Sequence, residues 1–317
     1  MIISLLHTDP YVLYVPSISL NNEIQALKQY LTGKQAYFLI APYWNVCDYI
    51  MKDYTTFINN TEECHKVIIL TNTLDEQDRF NNLGVQNIWC SHNAFVDPNI
   101  FNIIDNDKQY KAIYNARFNK DKRHHLAKKI DNLACITWGF GNEKEKEYLT
   151  NLQSTQKITI LNEINKDKII SKKPHEVNTA YSLAYTGLCL SSAEGAMYSS
   201  IEYLLAGLPI VSTRSRGGRD VFFNEYNSTI VEDNEDAVLE AVDNIISHYD
   251  TIDRQKIRNE AITVQESHLD RFKKLIISIL NNHNINIDMT EWWNRHYVHK
   301  MVKWYPDLDS FLRTIPL

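Results

Sequence analysis

The sequence contains few of the residues that stabilise small secreted proteins or bind structural zinc. Its cysteines are Cys47, Cys64, Cys90, Cys135 and Cys189, an odd number with no C-x-x-C spacing. A disulfide framework needs paired cysteines and a zinc ribbon needs closely spaced ones, so neither is expected. Scattered thiols are typical of a reducing compartment, and we therefore expect a cytoplasmic protein.

The chain also lacks an apolar run of about 18 residues, the length that a transmembrane helix needs. Met1–Leu6 has no basic residue before its apolar stretch, so it is interpreted as a strand and not as a signal peptide. The net charge of -6 provides no broad basic surface for nucleic acid. Nine glycines and eight prolines among 317 residues exclude a collagen-like chain. A globular protein of one large or two modest domains remains.

Short apolar runs alternate with helical patterns along the chain, which predicts an α/β fold of parallel sheets with helices on both faces. Strands are predicted at Met1–Leu6, Ala36–Ala41, Lys66–Thr71, Asn87–Cys90, Tyr110–Ala116, Ala134–Trp138, Ile158–Leu161, Gly187–Ser191, Pro209–Thr213 and Thr229–Val231. Helices are predicted at Leu20–Leu31, Trp44–Phe57, Leu74–Leu83, Lys120–Ile130, Pro174–Tyr185 and Ile201–Ala206. The count of strands predicts two doubly wound, Rossmann-like domains that face a cleft.

The polar segment Ser91–Asp107, which contains Asp97-Pro98, is the best candidate for an interdomain linker. We therefore predict an N-terminal domain at 1–92, a second domain at 93–285, and an aromatic-rich helical segment at 286–317. Ligands of doubly wound sheets bind outside the carboxyl ends of the strands. The residues that follow each predicted strand are therefore the candidates for function.

One stretch after a predicted strand, Ser191–Thr213, has the features of a site for a sugar nucleotide. It opens a helix, whose unpaired N–H groups and partial positive charge favour a diphosphate. Gly195 lets a ligand approach the backbone, so the N–H groups of Gly195 and Ala196 are candidate donors. Glu194 lies just before the helix, where a carboxylate accepts hydrogen bonds from sugar hydroxyls. Glu202, about two turns further on, is placed to bind ribose, as the acidic residue of dinucleotide-binding folds does.

Basic residues in two further places can bind the same diphosphate. Arg117 and Lys122 follow the first predicted strand of the second domain, and Arg is the better bidentate partner for phosphate. The Gly217-Gly218 turn is a candidate anion-binding nest, with the Gly218 N–H as a donor. The neighbouring Arg216 and Arg219 fit phosphate contacts and solvated loop positions about equally. The predicted donor site thus extends from Arg117 to Asp220.

These residues resemble the donor domain of the retaining GT-B glycosyltransferases that carry the E-x-x-x-x-x-x-x-E motif, the glycosyltransferase family 4-like enzymes. Glu194 and Glu202 match the two acidic positions, and Leu205–Val211 resembles the A-x-G-x-P-V-V continuation. Arg117 and Lys122 match the family's phosphate-gripping pair, and Ser91–Asp97 resembles its P-N-G-V-D segment. Ala94 replaces that segment's glycine, and Asp220 is the nearest acid to the double-glycine turn.

The resemblance implies transfer of a sugar from a nucleotide-diphosphate sugar to an acceptor hydroxyl, with retention of anomeric configuration and without a metal or other cofactor. It implies that Glu194 contacts the donor sugar and that the C-terminal helices return to the first domain. In this family the N-terminal domain supplies a histidine near the donor sugar. Here that domain is unusually short. His7, at the end of the first strand, is the best candidate; His65 is worse placed, and His92 lies at the domain junction.

Other readings of the sequence stay open. The candidate acceptors are a glycan, a lipid-linked sugar, a protein and a modified nucleobase such as a DNA base. The alternative function is non-catalytic binding of a nucleotide or a carbohydrate. Metal binding is not expected: the two D-x-D segments are interpreted as solvated loops and the adjacent pair His124-His125 as a helix surface. The candidates to line an acceptor pocket are Asp9, Tyr43, Trp44, Asn45 and Asn72.

Overall fold

The computed structural model describes residues 2–16, 22–138, 142–165 and 168–315. Met1 of the first predicted strand, residues 20–21 of the first predicted helix and residues 316–317 of the aromatic tail lie outside this part of the chain. The described residues form two compact units: the first comprises the chain up to Asp97 and from Gln265 onward, and the second comprises Pro98–Val264.

The strands and helices follow one another in the alternation that the sequence predicts. The strands are β1 (Ile2–Thr8), β2 (Tyr11–Val15), β3 (Ala36–Ile40), β4 (His65–Thr71), β5 (Asn87–Trp89), β6 (Tyr110–Asn115), β7 (Leu133–Ile136), β8 (Ile158–Ile160), β9 (Ile164–Asn165), β10 (Lys168–Ile169), β11 (Ala184–Cys189), β12 (Ile210–Thr213), β13 (Ser228–Val231) and β14 (Lys303–Trp304). The helices are α1 (Asn22–Tyr30), α2 (Asp48–Asn59), α3 (Leu74–Asn82), α4 (Glu143–Thr155), α5 (Pro174–Ser182), α6 (Tyr198–Leu205), α7 (Glu235–Ser247), α8 (Arg254–Asn281), α9 (Met289–His296) and α10 (Leu308–Leu312).

The first unit is built on a mixed sheet with the strand order β14-β1-β2-β3-β4-β5. Strands β2 to β5 are parallel, whereas β1 is antiparallel to both β2 and β14. The expectation of a wholly parallel sheet is therefore wrong at this side. The reason is strand β2, absent from the sequence prediction: only Asp9-Pro10 separates it from β1, and a two-residue connection returns the chain as a hairpin.

Alternate residues of these strands face two separate apolar cores. Leu13 and Val15 belong to one core with Phe311 of α10, and Val12 and Tyr14 belong to the other. The second core also contains residues from the carboxyl half of α8 and from α9, namely Phe272, Ile276, Ile279, Leu280 and Trp292. Residues 265–285, which the sequence analysis placed in the second domain, thus pack in the first unit, because their apolar side chains cover its sheet.

The first part of the segment predicted to be an interdomain linker belongs to the first unit. Residues 91–96 are buried, and His92–Phe95 forms a short 3-10 turn. The Ser91 N–H donates to His268 Nδ1 over 3.3 Å, and the side chain of Gln265 donates to the Ala94 and Val96 carbonyls. Only the part of the predicted linker after Asp97 belongs to the second unit.

The second unit contains a wholly parallel sheet with the order β13-β12-β11-β6-β7-β8. Numbered along the chain from β6, this is the 3-2-1-4-5-6 order of doubly wound dinucleotide-binding folds. The predicted doubly wound α/β domain is therefore confirmed. The strand order reverses between β6 and β11, and the crevice at such a switch point is where these sheets bind ligands.

Gly207 ends α6 as the sequence predicts. Its φ of +67° is in the left-handed region that favours glycine, and a Cβ at this position would meet the Ile103 side chain at 2.8 Å. Pro209 follows, so the chain leaves the helix and enters β12. This short connection places the start of α6 and the end of β12 at the same edge of the sheet.

Candidate functional site

Two loops meet at the switch point of the second sheet, one after β6 and one after β11. Lys122 lies on the first loop and Glu194 on the second, and the Lys122 ammonium donates a hydrogen bond to Glu194 Oε1. The side chains are 17% and 8% exposed, respectively, so the pair is largely shielded from water. The loop is held from both sides at Lys122: its carbonyl accepts from the Tyr114 hydroxyl over 2.6 Å, and its N–H donates to Asn119 Oδ1 over 3.2 Å.

Arg117 lies on the same loop but has a different partner. Its Nε and Nη2 lie 2.9 and 2.7 Å from Glu145 Oε1, in the first turn of α4. Its guanidinium carbon also lies 5.8 Å from the centre of the Trp138 ring. A cavity of about 650 Å³ opens beside this pair. The sequence analysis did not identify Glu145, because nothing in its local pattern marks it among the other charges of α4.

Glu202 lies in α6 and is almost completely buried. The Tyr181 hydroxyl donates to Glu202 Oε2 over 2.8 Å, and Asn115 Nδ2 donates to the same hydroxyl over 2.6 Å. Burial raises the pKa of Tyr181 well above its usual value, so the hydroxyl remains a neutral donor. The Glu202 carboxylate is thus tied to the end of β6 through Tyr181, which the sequence analysis also missed.

Two backbone N–H groups just before α6 are unpaired. No side chain caps this helix, and among the described residues neither the Gly195 nor the Ala196 N–H has a hydrogen-bond partner. The preceding segment is held by the loop after β12: the Glu194 N–H donates to the Arg216 carbonyl over 2.9 Å, and the Arg216 N–H donates to the Ser192 carbonyl over 3.0 Å. The free N–H groups are therefore on a fixed backbone.

The expectation that Gly218 contributes a free N–H is wrong. Its N–H donates to the Gly195 carbonyl over 2.7 Å, so the double-glycine turn holds the α6 loop instead of presenting an anion nest. Gly217 has a φ of +97°, which explains the glycine there. The structure thus keeps Gly195 and Ala196 as candidate donors and assigns Gly218 a supporting contact.

Arg219, a candidate phosphate contact or solvated loop residue, and Arg123, for which the sequence analysis predicted no role, both join strand ends. Arg219 is completely buried and donates to the Ser191 and Thr213 carbonyls, while its Nε bonds Asp220 Oδ1 at 2.7 Å. Arg123 has a φ of +50° and donates to the Leu190 carbonyl, the Thr213 hydroxyl and the Asp233 carboxylate. Arg219 is therefore neither a phosphate ligand nor a solvated loop residue.

Left-handed Arg123 also interrupts the helix predicted at Lys120–Ile130. The segment instead forms two short 3-10 turns, Lys120–Lys122 and His124–Ala127. His124 is completely buried among the rings of Tyr114, Phe118 and Tyr148, and was wrongly interpreted as a surface residue. Burial, with the nearby charge of Lys122, lowers the pKa of His124 to about 3, so its imidazole is neutral.

His7 is not at the edge of the first sheet where a ligand is expected. Because β1 is antiparallel to β2, the end of β1 lies beside the start of β2, with Thr8 opposite Tyr11. His7 and Asp9 are therefore at the amino ends of the parallel strands. The Nδ1 of His7 lies 2.9 Å from the Pro10 carbonyl oxygen, which fixes the ring within the hairpin. The premise for a catalytic His7 is thus wrong.

Other candidates of the first unit do lie at the carboxyl ends of parallel strands. Asn72, after β4, donates to the Pro42 carbonyl and accepts from the His92 N–H. The rings of Tyr43 and His92 lie 4.9 Å apart, and Trp44 is 64% exposed. Asn72 itself is fully buried, so it supports this edge and does not line a pocket.

The two D-x-D segments serve local structure. Asp105 pairs with Arg254 at 2.8 Å, and Asp307 accepts from the Ser310 N–H at the start of α10. Among the described residues, the only cluster with three potential metal ligands is Glu62, Cys64 and His65, in the first unit. Within the part of the chain that the structure describes, no helix is both long and apolar enough to cross a membrane.

The second unit matches a known family. The family model described as "Glycosyl transferases group 1" matches residues 96–264, which includes every residue of the switch-point site. No curated protein matches the chain in sequence. The family match and the site thus concern the same part of the chain.

Solved structures resemble the chain over both units. S. aureus TarM, in a variant bound to fondaparinux, alpha-GlcNAc-glycerol and UDP, is 19% identical with a TM-score of 0.54, over 76% of this chain and 50% of TarM. The pneumococcal O-GlcNAc transferase GtfA, with UDP and GlcNAc, is 14% identical with a TM-score of 0.53, over 81% of this chain and 55% of GtfA. Anabaena HepE, with UDP and glucose, is 15% identical with a TM-score of 0.56, over 82% of this chain and 75% of HepE.

The chain thus spans about half the length of TarM and GtfA. At these identities the likeness concerns the fold, and it confirms the GT-B fold class, with two Rossmann-like units, that the sequence predicts.

Proposed function

Because the chain belongs to the group 1 glycosyl transferases, we propose that it transfers a sugar from a nucleotide-diphosphate sugar to an acceptor hydroxyl. We further propose that the anomeric configuration is retained and that the reaction needs no metal ion. One observation carries this proposal: Lys122, Glu194 and Glu202 lie on the loops and helix that follow β6 and β11 at the switch point, and the unpaired N–H groups of Gly195 and Ala196 lie directly after Glu194. Dinucleotide-binding sheets bind their ligands at this place.

The diphosphate is assigned to Arg117, Lys122 and the N–H groups of Gly195 and Ala196. Lys122 carries three N–H donors, so its bond to Glu194 leaves others for a phosphate oxygen. An uncapped helix start adds partial positive charge, as in other phosphate sites. Together these groups would stabilise the charge that develops on the leaving nucleoside diphosphate.

The carboxylates are assigned to the hydroxyl groups of the donor. Glu202 would bind the ribose, because its carboxylate is anchored by Tyr181 and a carboxylate accepts both ribose hydroxyls. Glu194 would bind the transferred sugar, beside the diphosphate that Lys122 holds. This order places the sugar next to β11 and the ribose next to α6.

The reaction breaks the bond between the anomeric carbon and the diphosphate oxygen and forms a bond to the acceptor oxygen on the same face. The acceptor proton passes to the leaving phosphate oxygen, so no protein base is required. Positioning and electrostatic stabilisation would then supply most of the rate. This scheme needs no histidine at the position of His7.

UDP is the first ligand to test, since UDP is present in the TarM, GtfA and HepE structures. Nucleoside diphosphates and their sugars would be screened by thermal shift, because a ligand that binds the native state raises the melting temperature. Donor turnover would then be measured with EDTA present, and the anomeric configuration of the product determined by NMR. We expect stabilisation by at least one nucleoside diphosphate and a retained product.

Two variants test the site within this assay. Arg117→Ala should abolish turnover, and Glu202→Ala should weaken nucleotide binding. Full transfer activity in both variants would show that the site is elsewhere, and an inverted product would refute the retaining mechanism. Nucleotide binding without donor hydrolysis or transfer would favour the non-catalytic alternative.

A further inference from the structure

Arg117 is held along one edge by a single carboxylate oxygen. Its Nε and Nη2 both donate to Glu145 Oε1, at 2.9 and 2.7 Å. Arginine has five N–H donors in a rigid plane, so the remaining donors point away from this edge. Arg117 is 36% exposed at its side chain, whereas Glu145 is 7% exposed, so the carboxylate is the fixed partner of the pair.

The position of Glu145 is set by the start of α4. Asn142 caps the helix, and its Oδ1 accepts from the Glu145 N–H over 3.2 Å. A carboxylate in the first turn is also stabilised by the partial positive charge of the helix start. Because the backbone is capped and the side chain is buried, Glu145 presents its Oε1 to Arg117 in one orientation.

The guanidinium also has an aromatic neighbour. Trp138, directly after β7, lies with its ring centre 5.8 Å from the Arg117 guanidinium carbon. The backbone beside it is fixed, because the Asn162 side chain bonds both the N–H and the carbonyl of Thr137, at 2.9 and 2.6 Å. The two hydrogen bonds to Glu145 thus fix one edge of the guanidinium, and the ring of Trp138, which is 70% exposed, lies near it.

The cavity of about 650 Å³ borders both Arg117 and Glu145, and Lys120 and Lys144 also line it. Glu147 lines the cavity as well, so three cations face two carboxylates and the wall carries a small net positive charge. An anion that reaches Arg117 from this cavity therefore meets a guanidinium whose free N–H groups are already oriented. Such preorganised donors need no rearrangement when charge develops on a phosphate.

We propose that Glu145 is a positioning residue for Arg117: it orients the guanidinium so that its free N–H groups grip the diphosphate of the donor. The inference rests on the proposed function, and it adds a residue outside the two sequence clusters that define the site. The opposite role, a carboxylate that competes with phosphate for Arg117, predicts the reverse effect on binding. Experiment therefore separates the two roles by the sign of the change.

The test measures nucleotide affinity by calorimetry on the full chain, with UDP, GDP, ADP and dTDP as probes. Glu145→Gln keeps an oxygen acceptor for Arg117 and should bind the preferred nucleotide within about threefold of the unaltered protein. Glu145→Ala frees the guanidinium and should bind it about tenfold or more weakly, since misplacement of a binding group by about 1 Å has effects up to a hundredfold. Glu143→Gln, an exposed carboxylate in the same turn, is the matched control for the helix charge.

A double-mutant cycle separates positioning from a general structural role. In the Arg117→Ala background, Glu145→Ala should change affinity by less than about twofold, because there is no guanidinium left to orient. Equal losses in both backgrounds, or tighter binding by Glu145→Ala, would overturn the inference. If the unaltered protein binds none of the four nucleotides, the proposed function itself fails and this inference fails with it; binding that is insensitive to Glu145 refutes only the positioning role.

Discussion

The hydroxyl of Tyr181 connects two parts of the site that are separate in sequence: it donates to Glu202 Oε2 at 2.8 Å and accepts from Asn115 Nδ2 at 2.6 Å. Tyr181 belongs to α5, Glu202 to α6, and Asn115 ends β6. Tyr181 and Glu202 are buried and Asn115 is partly buried, which makes these hydrogen bonds costly to lose. The carboxylate assigned to ribose is therefore held by a contact that the ligand does not touch.

Tyr181→Phe should weaken nucleotide binding while preserving the fold. The ring stays, but Glu202 loses a donor, so UDP affinity should fall by about 3- to 10-fold and the free energy of unfolding by about 1–3 kcal/mol. Calorimetry with UDP and chemical denaturation measure the two effects. Tyr185→Phe, which removes a hydroxyl from a ring that packs on Tyr249 in the same unit, is the control. Unchanged UDP affinity in Tyr181→Phe would show that the orientation of Glu202 does not matter for binding.

Lys122 and Glu194 should separate binding from transfer. Lys122→Ala removes a diphosphate cation and should weaken UDP binding about tenfold or more, since a charged hydrogen bond contributes about 1.5–3 kcal/mol. Glu194→Gln keeps an oxygen for Lys122, so UDP should bind normally while turnover of the nucleotide sugar falls. Lys128→Ala is the control, as Lys128 is exposed in the same segment. Normal transfer by Glu194→Gln would contradict its contact with the sugar.

Arg219→Ala should destabilise the second unit. Its guanidinium is completely buried and donates to the Ser191 and Thr213 carbonyls, so its removal leaves both acceptors and the Asp220 carboxylate without these bonds. Loss of one partner of a buried charged pair costs about 3–5 kcal/mol, which denaturant unfolding would detect. Arg214→Ala, at an exposed position of the same loop, should have little effect. A small loss in Arg219→Ala with a specific loss of nucleotide binding would restore the phosphate role.

His124 should make the second unit sensitive to acid. Its pKa is lowered from an ordinary 6.5 to about 3 by burial, so the unfolded chain binds a proton there at pH values where the native state does not. The contribution of neutral His124 to the free energy of unfolding is fully present above about pH 6.5. It declines as the pH falls towards 3, by up to about 1.4 kcal/mol per pH unit. His124→Phe should flatten this dependence in denaturation series from pH 7 to 4.

Two comparisons make the His124 result specific. His125→Gln, at the exposed neighbour, should leave the pH dependence unchanged. His268, whose pKa burial lowers to about 4, adds a dependence of the same sign, so His124→Phe should reduce the slope without removing it. An unchanged slope in His124→Phe would mean that water or a partner reaches the imidazole in solution.

The sequence was sufficient to predict the doubly wound second unit and the loops that form its site. Strand β7 is apolar throughout, and Gly207 with Pro209 marks the end of α6, so such elements are visible locally. The meeting of Lys122 and Glu194 also follows from the rule that ligands bind at a switch point. These predictions depend only on local pattern and on the parallel order of strands.

The supporting residues could not be predicted in the same way. Glu145 is 28 residues from Arg117, and Tyr181 is 21 residues from Glu202, so neither pair has a sequence spacing that indicates contact. Arg219 follows Arg214 and Arg216 in one loop, yet only Arg219 is buried, because the carbonyls it binds are brought together by the sheet. The edge of the sheet at which His7 lies depends on the direction of β1. Because the sequence analysis missed strand β2, it also missed that β1 runs antiparallel to β2.

Loops at the ends of strands are usually the parts of a fold that accept changes in length. The loop that carries Arg117 and Lys122 is an exception, because Arg123 ties its far end to the Leu190 carbonyl, the Thr213 hydroxyl and Asp233. An inserted or deleted residue between Arg117 and Arg123 would move one of these cations out of register with the strands it faces. The spacing of Arg117 and Lys122, the two residues proposed to bind phosphate, is thus fixed by the sheet. Related chains should vary in the identity of the residues between them before they vary in their number.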